Sequence, residues 1–383
     1  MLHYLKMINF RNYIAAELSL ERGNNFFIGE NGQGKSNLLE AVYYCSTASS
    51  FRFAREEDML SWDKPFFYLR AIVFNKNNKY LIELGYEAAS KRKVIKINGK
   101  KERSDYLLSI FPVIYFIPED LLLIKGSPSQ RRNFLDIEIC RINLIYREDL
   151  RNYKRVLAQR NKLLKTAKIV KGFNEQLSLW NEQLVHFGSR LILERIKTVE
   201  KLNLLSRLAY RRIAPDSGEE LNLYYSSSLA PALTSSNINL SSLKDLFKEK
   251  LKSLEEEEIE RGTTLIGPHR DDLTILLSQR NARRFSSQGQ QRSAVLALKI
   301  AEIELFRSEK NKEPLLLLDD VFSELDRKRC ELFLDSCHLL GQTLITVTDP
   351  ALLPSIKEGK NSIFTIKKGH ISRQNGKNFI YSP

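Results

Sequence analysis

The sequence predicts an α/β fold, mixed sheets with flanking helices split by an inserted α-helical domain, and three features of its 383 residues predict it. An apolar strand, Phe26-Phe27-Ile28, runs directly into a glycine-rich loop and a helix that begins at Ser36. A second apolar strand, Leu315 to Leu318, ends in two adjacent carboxylates, Asp319 and Asp320. Between them, from Ser129 to about Arg261, apolar residues recur mainly at helical spacing. These changes of period predict one discontinuous domain, residues 1–128 and 263–383, with residues 129–262 as a helical arm.

Taken in order, Met1 to Arg11 reads as a strand with polar interruptions. Phe66 to Phe74, Tyr80 to Tyr86 and Val94 to Ile97 are β-rich, and Asn98-Gly99 after the last of them is a hairpin signal, so an antiparallel sheet follows the loop. Leu177, Leu184, Phe187 and Leu191 keep an apolar stripe on a long helix. Residues 214–242, with Pro215, Gly218, Pro231 and many serines, read as a loop before a charged helix from about Leu243 to Arg261. The run Glu255 to Glu258 on that helix reads as a solvated face. After Thr263 come strands and a long helix, Gln288 to about Arg307, then the strands Leu315–Leu318 and Leu344–Val347.

Sixty Lys and Arg against 46 Asp and Glu leave a formal charge of +14, which favours a polyanionic partner: nucleic acid or an anionic membrane surface. Apolar runs stop within a strand's length, so a soluble protein is expected, and the N-terminus lacks the pattern of a secretory signal, so a cytoplasmic one. Cys45, Cys140, Cys330 and Cys337 are scattered without zinc or disulfide spacing. The aromatic pairs and triplets Tyr43-Tyr44, Phe66-Phe67-Tyr68 and Tyr224-Tyr225 read as core before they read as platforms for bases.

Gly29-Glu30-Asn31-Gly32-Gln33-Gly34-Lys35-Ser36 fits G-x-x-x-x-G-K-[ST] between a strand and a helix, the context that motif requires. Backbone N–H groups of such a loop curl around phosphates, Lys35 supplies a point charge, and the Ser36 hydroxyl can ligate Mg²⁺, so ATP and Mg²⁺ are the expected ligands. Of the strand-end acids, Asp319 is expected to help hold the metal, and Asp320 to position or activate the attacking water. Lys35 and Asp320 are thus the expected catalytic pair.

Ser286-Ser287-Gln288-Gly289-Gln290-Gln291-Arg292 opens the long helix; alone it fits a helix cap as well as a phosphate contact. Downstream of a phosphate loop and about thirty residues before two strand-end acids, it resembles the ABC signature, and the set resembles a P-loop ABC/SMC-type ATPase head. That resemblance implies that Ser287, Gly289 and Gln290 meet the nucleotide held by a second copy. Ser323-Glu324-Leu325-Asp326 is similar to the D-loop between two such sites. Thr348-Asp349 stands where transporters place a switch histidine, a departure that leaves Asp349 as the substitute sensor.

Several further segments resemble the RecF family: Phe10-Arg11-Asn12-Tyr13, Pro118-Glu119-Asp120-Leu121, Lys125-Gly126-Ser127-Pro128, Arg131-Arg132-Asn133-Phe134-Leu135-Asp136 and Gly267-Pro268-His269-Arg270-Asp271-Asp272. The resemblance implies an ATP-dependent homodimer on double-stranded DNA at single-/double-strand junctions, preferring duplex. It further implies slow hydrolysis, RecR and RecO as partners, indirect help in loading RecA, and Arg11 and Asn12 as adenine contacts. His269 is assigned no role. Other SMC-like heads and, from another class, the nucleotide-binding subunit of a transporter share the ATPase motifs. From Arg131 to Lys171 there are twelve Lys or Arg against four Asp or Glu, which suits phosphate contacts as well as a solvated face.

Overall fold

The computed structural model describes residues 1–76, 78–167, 171–230, 233–324, 327–337, 341–349 and 361–374. Leu325 and Asp326 of the expected D-loop, Lys168 of the basic run and Pro231 lie outside the described residues. Packing divides the chain into two compact units, residues 1–120 with those from 311 on, and residues 121–310.

The first unit begins with β1 (Leu2–Phe10), β2 (Tyr13–Ser19) and β3 (Gly23–Ile28), then α1 (Lys35–Thr47). Next come β4 (Phe66–Asn75), β5 (Asn78–Glu87), β6 (Arg92–Ile97), β7 (Lys100–Lys101), α2 (Ser104–Ile110) and β8 (Val113–Phe116). The sheet ordered β2-β1-β4-β5-β6-β7 is antiparallel throughout. Its strands alternate: Phe67, Leu69, Ala71 and Val73 of β4 and Ile82, Leu84 and Tyr86 of β5 are buried in one core with Leu38, Leu39, Val42 and Tyr44 of α1. Asn98 and Gly99 have φ of 50° and 79°, the two positive values a type I′ hairpin needs.

The second unit carries α3 (Leu122–Lys125), α4 (Pro128–Ile142), α5 (Leu144–Lys165) and the 41-residue α6 (Phe173–Ile213). It continues with β9 (Leu221–Ser226), α7 (Leu240–Ser253), α8 (Glu255–Arg261), β10 (Asp272–Leu277), β11 (Arg280–Asn281), α9 (Ala282–Phe285) and α10 (Gln288–Lys310). Two features differ from expectation. The stretch 214–242 holds a strand, β9, which pairs antiparallel with β10 from Leu221↔Leu277 to Ser226↔Asp272. That pairing, with α10 packed along α6, draws residues 263–310 into the helical unit, so the division by packing falls at 121 and 310 rather than 129 and 262.

Buried ion pairs tie this unit together. Arg160 and Glu258, both fully buried, meet at 2.7 Å, so Glu258 turns inward from the face expected to be solvated, while Glu256 stays exposed. Arg131 grips Asp272 through two bonds of 2.8 Å, Arg132 donates to the Asp271 carbonyl at 2.8 Å, and Arg195 joins Asp136 at 2.7 Å and the Pro268 carbonyl at 2.6 Å. Two of the family segments, Arg131–Asp136 and Gly267–Asp272, are thus two halves of one internal lock.

The chain returns to the first unit with β12 (Leu315–Asp319), α11 (Arg327–Cys337), β13 (Gln342–Val347), β14 (Asn361–Lys367) and β15 (His370–Gln374). The second sheet is ordered β15-β14-β3-β13-β12-β8 and is parallel except for β15. Every residue of β12 is buried, the unbroken apolar pattern of a strand covered on both faces. With β13 alone between them, β3 and β12 deliver the phosphate loop and the acids at the same, carboxyl-terminal edge.

Candidate nucleotide site

The loop between β3 and α1 depends on left-handed glycines: Gly32 has φ 78° and Gly34 φ 113°. A Cβ on Gly34 would stand 2.5 Å from Asn12 Nδ2. Asn12 holds the loop by donating to the Gln33 carbonyl at 3.0 Å, and the turn after β14 holds it from another side, Lys368 N–H donating to Gln33 Oε1 at 2.7 Å. Gln33, expected as a nucleotide contact through its backbone, uses its side chain to brace the loop.

Lys35 is buried, and its Nζ donates to the carbonyls of Gly29 at 2.5 Å and Glu30 at 2.8 Å, so the ammonium lies folded inside the loop. Burial lowers its pKa, opposed by the charges of Asp320 and Asp319. Ser36 Oγ donates to Asp319 Oδ1 at 2.9 Å, uniting the two expected metal ligands. Burial raises the Asp319 pKa, opposed by hydrogen bonds from Ser36 and from Thr346, whose Oγ1 donates to the same oxygen at 2.8 Å. Thr346 Oγ1 also accepts from the Asp320 N–H at 2.9 Å, so one hydroxyl positions both acids.

Asp320 takes φ 48°, a left-handed conformation that costs a non-glycine residue roughly 1–3 kcal/mol and recurs where structure over-determines a functional group. Thr348 Oγ1 donates to Asp320 Oδ1 at 3.2 Å, so in the Thr348-Asp349 pair it is Thr348 that reaches the acid; Asp349 is exposed. Ser323, the first residue of the expected D-loop, donates to the Asp320 carbonyl at 2.7 Å.

Arg11, suggested for adenine, pairs through two bonds of 2.9 Å with the fully buried Glu40 of α1, and Arg52 bonds Asn37 Oδ1 at 3.0 Å. Sequence reasoning missed Thr346, Glu40 and Arg52, and in the Thr348-Asp349 pair it favoured Asp349; the phosphate-loop pattern does not reach them, and only the strand Leu344–Val347, which contains Thr346, hinted at its place.

The signature residues belong to the second unit. Ser287 N–H donates to Gln290 Oε1 at 2.6 Å and Gln290 N–H to Ser287 Oγ at 3.3 Å, a reciprocal cap on α10 that leaves Ser287 exposed. Gln290 Nε2 donates to Glu219 Oε1, so both ends of that amide are engaged. Gly289 lies half-buried in the same first turn.

Eight cations of the basic run fall into two sets. Arg131, Arg141 and Arg160 are buried in internal pairs, whereas Arg151, Lys154, Arg155, Lys162 and Lys165 of α5 are exposed. Tyr43, Tyr44, Phe67 and Tyr225 are core residues; Phe66 and Tyr224 are exposed. His269 Nε2 donates to the Thr264 carbonyl at 3.2 Å, which leaves Nδ1 of the neutral ring to accept from Tyr153 OH at 2.7 Å. Burial pushes its pKa down to about 4, so it is a neutral loop-fixing residue.

Parallel strands that present a phosphate loop and, with one strand between, the carboxylate bonded by that loop's serine are the frame of an ABC/SMC-type ATPase head, and this fold is of that class. Over residues 1–369 the sequence matches the family described as RecF/RecN/SMC N terminal domain. It is 40% identical over 377 residues to the DNA replication and repair protein RecF of Natranaerobius thermophilus, covering 97% of both chains. It is 41% identical over 372 residues to that of Halothermothrix orenii, again covering 97% of each. The chain belongs to the RecF family. A solved structure of the recombination mediator protein RecF-ATP in the RecFOR pathway superposes with a TM-score of 0.88 at 34% identity, covering 98% of this chain and 97% of that one. The Smc head domain of Pyrococcus furiosus, at 15% identity and TM-score 0.56 over 97% and 95% of the chains, shares the fold. Among the described residues no helix is long and apolar enough to cross a membrane.

Proposed function

We propose that this chain is an ATP-dependent DNA-binding switch of recombinational repair and replication restart. Two copies close on duplex DNA beside a single-strand gap when they bind ATP, and slow hydrolysis reopens them. In this reading it works with RecR and RecO and assists the loading of RecA.

The observation that carries it is the Ser36–Asp319 bond, with Lys35 folded on the loop carbonyls beside it. Lys35 exchanges carbonyl partners for the β and γ phosphates, and the loop N–H groups from Gly29 to Ser36 take the remaining oxygens. Ser36 and Asp319 fit Mg²⁺, which usually takes one or two protein ligands beside phosphate and water and supplies charge neutralisation at the phosphates. Asp320, held by Thr346 and Thr348, orients the attacking water and accepts its proton. Ser287 and Gly289 at the exposed start of α10 complete the site of the other copy. The basic side of α5, Arg151, Lys154, Arg155, Lys162 and Lys165, suits sequence-independent contacts to DNA phosphates.

Fluorescence anisotropy of a labelled gapped duplex tests the switch. Affinity is expected to rise with ATP for the natural chain, to ignore ATP in Lys35→Ala, and to stay high after ATP addition in Asp320→Asn. Equal affinity with and without ATP in the natural chain, or undiminished turnover in Asp320→Asn, contradicts it.

A further inference from the structure

The first turn of α10 already holds an anion of its own. Glu219 follows the end of α6, and its Oε1 accepts from Gln290 Nε2 while its Oε2 accepts from Tyr210 OH at 2.7 Å. Tyr210 is buried in the last turn of α6, so the carboxylate is fixed to that helix and aimed at the signature. The neighbouring Glu220 takes Arg207 and Arg211, whereas among the described residues no Lys or Arg pairs with Glu219, whose partners are a neutral amide and a phenol.

A helix start attracts negative charge through its unpaired N–H groups, and an unpaired carboxylate is stabilised there. Under the proposed function, the triphosphate of a second copy arrives at this same end of α10, and two anions then compete for one positive pole. We propose that Glu219 is an autoinhibitory latch: it holds Gln290 against its own chain and its charge opposes ATP-driven closure of two copies. It is a positioning residue acting through Gln290, and it raises the ATP concentration at which two copies close.

Sedimentation velocity across an ATP titration tests this, with turnover suppressed throughout by Asp320→Asn. Glu219→Gln keeps an oxygen for the Gln290 amide and removes the charge. Two unit charges roughly 10 Å apart at a partly screened surface shift an equilibrium about fivefold, so the ATP concentration at half-dimer should fall about that much. Glu219→Ala, which removes charge and hydrogen bond together, should lower it too. At about 0.5 M salt the gap between the chain that keeps Glu219 and the Glu219→Gln variant should shrink, which a packing role would not produce. If the chain with Glu219 dimerises but Glu219→Gln needs as much ATP or more, or the gap ignores salt, the latch is wrong while the switch stands. If the chain with Glu219 never dimerises with ATP, the switch itself is wrong and the latch falls with it.

Discussion

Asp319 and Asp320 are adjacent in the chain yet live in different surroundings. Asp319 is buried and receives hydroxyls from Ser36 and Thr346; Asp320 adopts a left-handed backbone held by Thr346 and Thr348. The separate roles proposed for them fit those partners, and Thr346→Val, which removes the hydroxyl shared by both, should lower turnover by about tenfold or more with the fold retained. Steady-state ATPase assays beside thermal melts read it, and unchanged turnover contradicts it. Gly34→Ala forces a Cβ to 2.5 Å from Asn12 in a left-handed loop, so ATP affinity should drop at least about tenfold with roughly 1–3 kcal/mol of stability lost, read by nucleotide titration and urea unfolding. His269 carries a pH signature. Its folded pKa of about 4 lies below its ordinary 6.5, so the unfolded chain binds more protons between those values. The stability tied to neutral His269 is complete above about 6.5 and is lost as pH falls toward 4, up to roughly 3 kcal/mol. In His269→Gln that part of the slope of stability against pH should vanish. The loop, Lys35 and the two acids were legible because they are contiguous signals on recognisable strands. Thr346 and Glu40 were not, and Thr348 was named only beside Asp349, because a hydroxyl or carboxylate becomes part of a site through the pairing and packing of distant elements, a long-range property.

Among the elements, α5 shows how a charge count misleads. Tyr153, Val156, Arg160, Leu163 and Leu164 share the buried side of that helix, so Arg160 is a core residue bonded to Glu258, Asn181 and Thr264. Arg131, Arg141 and Arg160 of the run are therefore core residues while five cations of α5 are exposed, and helical spacing separates them where composition does not. Replacing Arg160 by Leu leaves Glu258 buried without its cation and should cost about 3–5 kcal/mol in urea unfolding, whereas Arg151→Ala should cost under about 1 kcal/mol. Reversing Arg151, Lys154 and Arg155 to Glu should weaken duplex binding and flatten the plot of log affinity against log salt by about 2–3 units; an unchanged slope removes α5 from the DNA surface. The strand β9 escaped the sequence reading because its six residues lie among proline, glycine and serine, and its pairing partner β10 is far along the chain.

For the whole molecule, the α/β class, the antiparallel sheet, the long helices and the apolar strands at Leu315–Leu318 and Leu344–Val347 all follow from local period, and the structure has them. The partition does not follow, since β9 with β10 and α6 with α10 are pairings across long stretches of chain that period alone leaves open. That partition puts the phosphate loop on one compact unit and the signature on the other. Closure of two copies around ATP is the claim that gives both a purpose. The most direct measurement is the light-scattering mass of Asp320→Asn with and without ATP and gapped duplex DNA, repeated with Ser287→Arg added. The account predicts a doubled protein mass that requires both ATP and Ser287; a single-chain mass throughout, or a doubling that survives Ser287→Arg, contradicts it.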